Sequence, residues 1–353
     1  MAWDLYVERA DLSTTLLVDV PTPELGEGQA LLRVDRVGMT ANNVTYAVFG
    51  DAMHYWDFFP APAPYGRVPL WGFATVEASR AAGVEEGTRV YGYLPSSSHL
   101  VVEPRKVDEK GFRDASAHRR HLPSPYNGLT TTTHDPAYEA DREDLQVLYR
   151  PLFMTSFMLA DFLADNGQFG ADTVVLSSAS SKTSYGTAFL LDGVRRIGLT
   201  SRGNREFTES LGCYDEVLTY DEVEGLTNSP TVYVDVAGDG VLRRAVHERL
   251  GDALVHSAVV GAAHHDAAPD LGGHLPGARP AFFFAPDQMR KRYADWGPDG
   301  VEDRHALAWK RFAPVVQDWV DVVVGSGPEG LDVAWQLTLA GSVAPRTGHV
   351  VQL

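Results

Sequence analysis

Short apolar strands alternate with helices between residues 173 and 262, and this alternation is the strongest constraint on the fold. The strands are predicted at 173–180, 194–201, 216–220, 231–238 and 253–262, and the helices at 182–193, 205–212 and 242–252. A helical crossover is the connection that neighbouring parallel strands require. The pattern therefore predicts an α/β fold with a doubly wound parallel sheet.

The first hundred residues have a different pattern. Apolar and polar residues alternate in short runs that Gly and Pro separate, without a long amphipathic helix, and this predicts an all-β or barrel-like unit. Residues 105–145 are rich in charge and are interpreted as a solvated insertion, with a substrate lid as the alternative. A chain of 353 residues is expected to form two domains, since single cores stop growing at about 250–300 residues.

Composition excludes several classes of protein. The net charge of -17 and the lack of a long basic run argue against nucleic-acid binding and against anionic membranes. The single cysteine, Cys213, can form neither an internal disulfide nor a multi-cysteine zinc site. No signal-peptide pattern and no apolar run close to about 20 residues is apparent, so a soluble cytoplasmic protein without a membrane span is expected.

The first strand-to-helix turn of the α/β segment is rich in small hydroxyl residues. In doubly wound sheets, ligand phosphates bind at the carboxyl ends of strands, where helix N-termini present backbone N–H groups. The candidate phosphate ligands in this turn are Ser178, Ser180, Ser181, Lys182 and Thr183. The alternative interpretation is a serine-rich N-cap with a purely structural role.

The second strand ends in Ser201-Arg202-Gly203-Asn204, without an acidic residue. NAD-preferring folds place Asp or Glu here to hold the ribose hydroxyls, whereas a hydroxyl and an arginine suit a 2′-phosphate. Ser201, Arg202 and Asn204 are therefore candidate ligands of NADPH. The alternative is that Arg202 is a solvent-exposed loop arginine.

Several segments occur in the order found in one known family. Residues 171–191 and 197–222 (ADTVVLSSASSKTSYGTAFLL and IGLTSRGNREFTESLGCYDEVLTYDE) resemble the nucleotide-binding segments of the medium-chain dehydrogenase/reductase superfamily. Weaker matches, in the family's order, are at 32–50, 69–79, 83–93, 232–238 and 337–353. The resemblance implies a GroES-like β-rich catalytic domain over 1–145 and 291–353. It implies a Rossmann domain over 146–290, with nicotinamide and substrate in the cleft between domains.

The resemblance points to the zinc-independent, quinone-oxidoreductase-like branch. Zinc-dependent members carry a cysteine and a Gly-His-Glu motif where this chain has Gly38-Met39-Thr40 and Gly72-Phe73-Ala74. No metal ligands are therefore expected. The expected activity is NADPH-dependent hydride transfer to a quinone, an enone or an enoyl thioester. Because serines and Lys182 replace the family's glycines, the alternative is a pseudo-enzyme of this fold that binds a nucleotide or ligand without reductase activity.

Catalytic candidates follow from the need for a proton donor near the substrate carbonyl. Asn42 occupies the place of a family Asn, and Tyr46 and Tyr55 carry phenols that can donate a proton. The alternative is that both tyrosines are aromatic residues with only a packing role. By the same resemblance, Thr155 matches a threonine that faces the nicotinamide, with a helix-interior threonine as the alternative. Val260 and Gly261 are expected to pass close under the nicotinamide.

The expected partner is a small, apolar or conjugated carbonyl substrate, and aromatic residues around 46–71 suit its pocket. Residues 280–292 join an apolar strand to Arg290-Lys291-Arg292. This segment is interpreted as a dimer-edge strand followed by a solvated helix, in line with an expected homodimer. The alternative is a basic patch for an anionic substrate handle or an acidic carrier protein.

Overall fold

A computed structural model describes residues 2–260 and 275–353. The strands in these ranges are β1 (Ala2–Glu8), β2 (Thr15–Val20), β3 (Ala30–Met39), β4 (Tyr65–Gly66), β5 (Pro69–Ser79), β6 (Arg89–Pro95), β7 (His99–Val102), β8 (Pro104–Asp108), β9 (Gly111–Asp114), β10 (Gly128–Thr131), β11 (Thr173–Leu176), β12 (Arg195–Thr200), β13 (Glu216–Thr219), β14 (Thr231–Asp235), β15 (Leu254–Val259), β16 (Pro280–Phe282), β17 (Asp321–Ser326) and β18 (Thr347–Gln352). The helices are α1 (Ala41–Val48), α2 (Glu143–Asp165), α3 (Lys182–Leu190), α4 (Arg205–Ser210), α5 (Gly240–Leu250), α6 (Ala285–Gln317, interrupted at Gly297) and α7 (Gly327–Leu339).

The chain divides into two compact units. The first contains residues 1–148 and 320–353, and the second contains residues 149–319. The first boundary lies close to the expected residue 145, but the chain returns to the first unit at 320 rather than at 291. The reason is α6, whose Trp309 and Phe312 are buried and pack on Phe153 of α2 and Phe189 of α3. These contacts keep 291–319 in the second unit.

The first unit is built on β-sheets. Its nine-stranded sheet has the order β17-β18-β3-β5-β6-β10-β9-β8, with β7 paired to β3, and a separate sheet has the order β2-β1-β4. The interpretation of 105–145 as a solvated insertion is wrong. Strands β8, β9 and β10 extend the large sheet, and Arg119 and Asp114 form a buried ion pair at 3.0 Å. The many charges of this segment misled the interpretation because some of them are paired internally.

The second unit carries a parallel sheet with strand order β13-β12-β11-β14-β15-β16. The prediction of a doubly wound α/β fold is confirmed. Every residue of β11 and of β14 is buried, as expected for central parallel strands with both faces covered. The carboxyl ends of β11 and β14 meet where the strand order reverses, which is where ligands bind in folds of this type.

One helical segment, Ala140–Asp165, is long and apolar enough to cross a membrane by length and hydropathy alone. The expectation of a protein without a membrane span stays a prediction, because length and hydropathy alone are weak evidence for a span. Half of the segment's most apolar 18-residue stretch is buried within the protein, and Met158, Leu159 and Leu163 are completely buried. A core helix of a water-soluble fold has the same properties, since its apolar face covers the sheet.

Candidate active site

The β11–α3 turn brings most of the predicted phosphate ligands together. Ser178 adopts a left-handed backbone conformation, with φ of 49°, which glycine favours and other residues adopt at a cost. Ser181 caps α3, because its hydroxyl accepts a hydrogen bond from the Ser184 N–H. This contact agrees with the structural alternative for Ser181. The Ser180 hydroxyl accepts from Asn204 Nδ2 at 3.1 Å, so this turn and the β12–α4 turn are joined.

Helix α3 begins close to α2. A methyl group on Gly186 would lie 2.8 Å from the Ser156 hydroxyl, so only glycine allows the two helices to approach this closely. Ser156 also donates a hydrogen bond to the carbonyl of Thr183 in the first turn of α3. The N-terminus of α3, where helix N–H groups point away from the helix, is therefore held in a fixed position at the end of β11.

Lys182 is the first residue of α3 and is mostly buried. Burial lowers the pKa of its ammonium from 10.5 to about 8. Its nitrogen lies 5.6 Å from the centre of the Tyr149 ring. Within residues 2–260 and 275–353 it has no salt bridge to a carboxylate. A desolvated cation at the electropositive end of a helix is unfavourable without a counter-charge, and an anion bound here would supply one.

Arg202 is exposed and pairs with Asp221 through two hydrogen bonds of 3.2 and 2.5 Å. The guanidinium lowers the pKa of the Asp221 carboxyl. Sequence reasoning missed this partner, because Asp221 follows the next strand, β13. A 2′-phosphate at Arg202 would therefore compete with a carboxylate. Ser201 precedes Arg202 in extended conformation, and its carbonyl accepts from the Asn204 N–H.

A buried network locks the carboxyl ends of β11 and β14. The Ser177 hydroxyl donates to Asp235 and accepts from the N–H groups of Val236 and Ala237, all at 3.0–3.1 Å. Asp235 is completely buried and pairs with Arg243 of α5 at 2.7 Å. The network fixes the backbone at the reversal of strand order. Its only sequence signal was the position of Asp235 at a strand end.

In the first unit, the predicted catalytic residues Asn42, Tyr46 and Tyr55 also come together. Asn42 and Tyr46 lie four residues apart on α1, and Asn42 Nδ2 donates to the Tyr46 hydroxyl at 2.7 Å. The ring centres of Tyr46 and Tyr55 are 4.7 Å apart. Tyr55 lies in a short 3₁₀ helix, its ring packs edge-on to that of Tyr126 with ring centres 6.0 Å apart, and burial raises the pKa of its phenol.

Sequence reasoning missed Trp71, whose indole Nε1–H also donates to the Tyr46 hydroxyl, at 3.0 Å. Trp71 lies on β5 and was noted only as one of many aromatic residues. Burial raises the pKa of Tyr46, and the hydrogen bonds from Trp71 and Asn42 oppose this effect. The Tyr46 phenol is therefore neutral at physiological pH and can act as a hydrogen-bond donor.

The remaining predicted contacts have structural partners or lie outside the described residues. The Thr155 hydroxyl donates to the carbonyl of Pro151 at 3.3 Å, as in the helix-interior alternative. The N–H of Val260 donates to the carbonyl of Asp235 at 2.9 Å, just beyond β15. Gly261 lies outside the described residues. A group of three His, Cys, Asp or Glu side chains that could hold a metal ion is absent from the described residues.

The basic cluster at 290–292 is neutralised by carboxylates. Arg290 pairs with Asp287, and Lys291 with Asp165 and Asp295. Arg292 pairs with Asp161, Asp165 and Asp295. These ion pairs argue against an anion-binding patch, because acidic residues of α2 and α6 pair with the cations. Arg290 and Lys291 lie on a solvated face as interpreted, whereas Arg292 is buried.

Comparison with known proteins shows the family to which the chain belongs. Residues 37–344 match the model of the family described as "Protein of unknown function (DUF2855)". The chain belongs to this family. No curated protein matches the sequence.

Solved structures share the fold over nearly their whole length. CurA from Vibrio vulnificus is 16% identical, with a TM-score of 0.61, 100% of this chain covered and 98% of CurA. A putative NADPH:quinone reductase from Mesorhizobium loti is 16% identical, with a TM-score of 0.63. The match covers 96% of this chain and 91% of the reductase. The quinone oxidoreductase from Thermus thermophilus, also solved in complex with NADPH, is 18% identical, with a TM-score of 0.57. The match covers 99% of this chain and 100% of the oxidoreductase. The chain therefore has the fold of medium-chain quinone oxidoreductases, as the resemblance implied.

Proposed function

We propose that this protein is an NADPH-dependent, zinc-independent oxidoreductase that reduces a conjugated carbonyl compound, namely an enone, an enoyl thioester or a quinone. The observation that carries the proposal is Lys182, a desolvated cation at the N-terminus of α3 that lacks a carboxylate partner within the described residues. A phosphate group is the ligand that this arrangement suits best, because both the ammonium and the helix N-terminus favour an anion.

The residues of the second unit fit a dinucleotide. The β11–α3 turn keeps a left-handed residue at Ser178, and small side chains follow it, so a pyrophosphate can approach the backbone. Lys182 would pair with the pyrophosphate. Arg202 and Ser201 would meet the 2′-phosphate once Arg202 leaves Asp221. CurA from Vibrio vulnificus has been solved in complex with NADPH, which supports the same choice of cofactor here.

The bound cofactor supplies a hydride. Reduction of a conjugated carbonyl also requires a proton and a hydrogen-bond donor for the oxygen on which negative charge develops. Tyr46 fits this role, because its hydroxyl accepts hydrogen bonds from Asn42 and Trp71 and keeps its own proton for a ligand. Asn42 holds the phenol in place, and Tyr55 packs on its ring.

Calorimetric titration with NADPH tests the proposal. We expect the wild-type protein to bind NADPH, and Lys182→Ala to bind it about tenfold or more weakly, because a charged contact is lost. Lys310→Ala is the matched control, since Lys310 is an exposed lysine of the same unit. Absence of NADPH binding by the wild-type protein would refute the proposal.

Activity separates the reductase from the pseudo-enzyme alternative. Oxidation of NADPH by a panel of quinones, enones and enoyl thioesters is followed by the loss of nicotinamide absorbance. We expect turnover with one of these classes and a large loss of kcat in Tyr46→Phe. Binding of NADPH without turnover of any class would favour the pseudo-enzyme. The homodimer and the cytoplasmic location stay predictions.

A further inference from the structure

The hydroxyl of Tyr46 receives two hydrogen bonds at once. Asn42 Nδ2 donates to it at 2.7 Å and Trp71 Nε1 donates at 3.0 Å. A phenol oxygen has two lone pairs, so both are occupied. The Tyr46 O–H therefore donates away from these two groups, and no described side chain accepts it.

The indole of Trp71 is held rigidly by other aromatic rings. It stacks on Tyr91 at 5.8 Å with an interplanar angle of 16°, and its centre lies 5.0 Å from that of Tyr93 and 6.0 Å from that of Tyr126. An indole N–H can only donate, so the direction of its bond to Tyr46 is unambiguous. The donor is preorganised before any ligand arrives.

A second contact fixes α1 against the strand that carries Trp71. Asn43 is buried, and its Nδ2 donates to the carbonyl of Pro69, the first residue of β5, at 2.9 Å. Asn43 Oδ1 accepts from the Thr40 N–H at 2.8 Å, which caps α1. The two amide contacts tie the start of α1 to β5, and so they set the position of Tyr46 relative to Trp71.

We infer that Trp71 is a positioning residue which, together with Asn42, directs the Tyr46 proton towards the substrate and stabilises the phenolate left after proton transfer. The inference rests on the proposed reductase function. In the proton-transfer step, the O–H bond of Tyr46 breaks and a new bond forms between that proton and the substrate atom that has gained negative charge. The electron pair stays on the Tyr46 oxygen, and solvent water later returns a proton to it.

The surroundings of Tyr46 make this assistance necessary. The titratable groups whose rings pack on it are the phenols of Tyr55, Tyr93 and Tyr126. Burial raises the pKa of each of these phenols, so they are neutral and carry no charge that could stabilise a phenolate at Tyr46. A phenolate at this position would therefore be stabilised by the two N–H groups that point at its oxygen, those of Asn42 and Trp71.

The test replaces Tyr46 with a fluorinated tyrosine, whose more acidic phenol titrates in an accessible range, and follows its fluorine NMR signal with pH. In Trp71→Phe, which keeps an aromatic ring but loses the N–H, we expect the titration midpoint to rise by about one pH unit. Asn42→Ala provides a second variant and should also raise it. Tyr93→Phe is the matched control, because the buried Tyr93 hydroxyl has no hydrogen-bond partner among the described residues, and the midpoint should be unchanged.

Kinetics of the unfluorinated variants provide the second readout. Trp71→Phe should lower kcat about tenfold and leave KM within about twofold, since the substrate binds before the phenolate forms. An unchanged titration midpoint in both Trp71→Phe and Asn42→Ala would overturn the inference. The NMR measurement needs neither NADPH nor substrate. A failure of the proposed function would instead appear as absent turnover in the wild-type protein, whatever the titration shows.

Discussion

Replacing Lys182 with methionine should stabilise the protein in the absence of ligand. The ammonium is desolvated, and the fall of its pKa from 10.5 to about 8 corresponds to about 3 kcal/mol of unfavourable free energy at neutral pH. Attraction between the ammonium and the Tyr149 ring, 5.6 Å away, offsets about 0.5–1 kcal/mol of this cost. Methionine keeps the length and removes the charge, so we expect a net gain of about 2 kcal/mol.

The sign of the pH dependence provides a sharper check. Below pH 8, Lys182 is protonated in both the folded and the unfolded chain, so the full desolvation cost of its ammonium destabilises the folded protein. Between about 8 and 10.5 the folded protein has lost a proton that the unfolded chain retains, and wild-type stability therefore rises with pH. The advantage of Lys182→Met should be largest below pH 8 and should disappear as the pH approaches 10.5.

Urea denaturation at several pH values measures both effects. Lys310→Met, which changes an exposed lysine, should show neither the gain nor its pH dependence. Saturating NADPH should reduce the advantage of the variant at neutral pH by about 1.4 kcal/mol or more, because the wild-type protein is expected to bind NADPH at least tenfold more tightly. A Lys182→Met protein that is less stable than wild type at pH 7, or a gain that does not vary with pH, would refute the assignment of Lys182 as a desolvated cation.

Three further predictions concern the cofactor preference, the absence of zinc and the buried network. Calorimetry should show NADPH binding about 1.5–3 kcal/mol more tightly than NADH; Arg202→Ala should erode this preference, and Asp221→Asn, which frees Arg202, should increase it. Elemental analysis should find no stoichiometric zinc, and chelators should leave Tm unchanged; one zinc per chain would contradict this. Arg243→Met should lower the free energy of unfolding by about 3–5 kcal/mol in urea titrations, because Asp235 is left buried and unpaired; a loss below about 1 kcal/mol would show that the pair is not structural.

The sequence determined the α/β architecture of the second unit. Strand and helix periods are local properties, and the apolar runs at 174–176 and 232–234 require burial on both faces, which a parallel sheet with helices on each side supplies. The phosphate-binding candidates were also accessible, because the end of a strand and the start of a helix are adjacent in the chain. Asn42 was recognised because it occupies the place of a family Asn, and Tyr46 because it carries a phenol on the same short segment.

Contacts between residues distant in sequence were decided only by the tertiary structure. The pairing of Arg202 with Asp221 depends on β12 and β13 lying side by side, and the ion pairs of 290–292 depend on α6 meeting α2. The charged segment 105–145 looked solvated because its buried pair Arg119–Asp114 cannot be distinguished from surface charge by composition. Trp71 donates to Tyr46 because β5 and α1 are held together by Asn43 and Pro69. Local periodicity is encoded in neighbouring residues, whereas a partner for a polar group is chosen by the packing of whole elements.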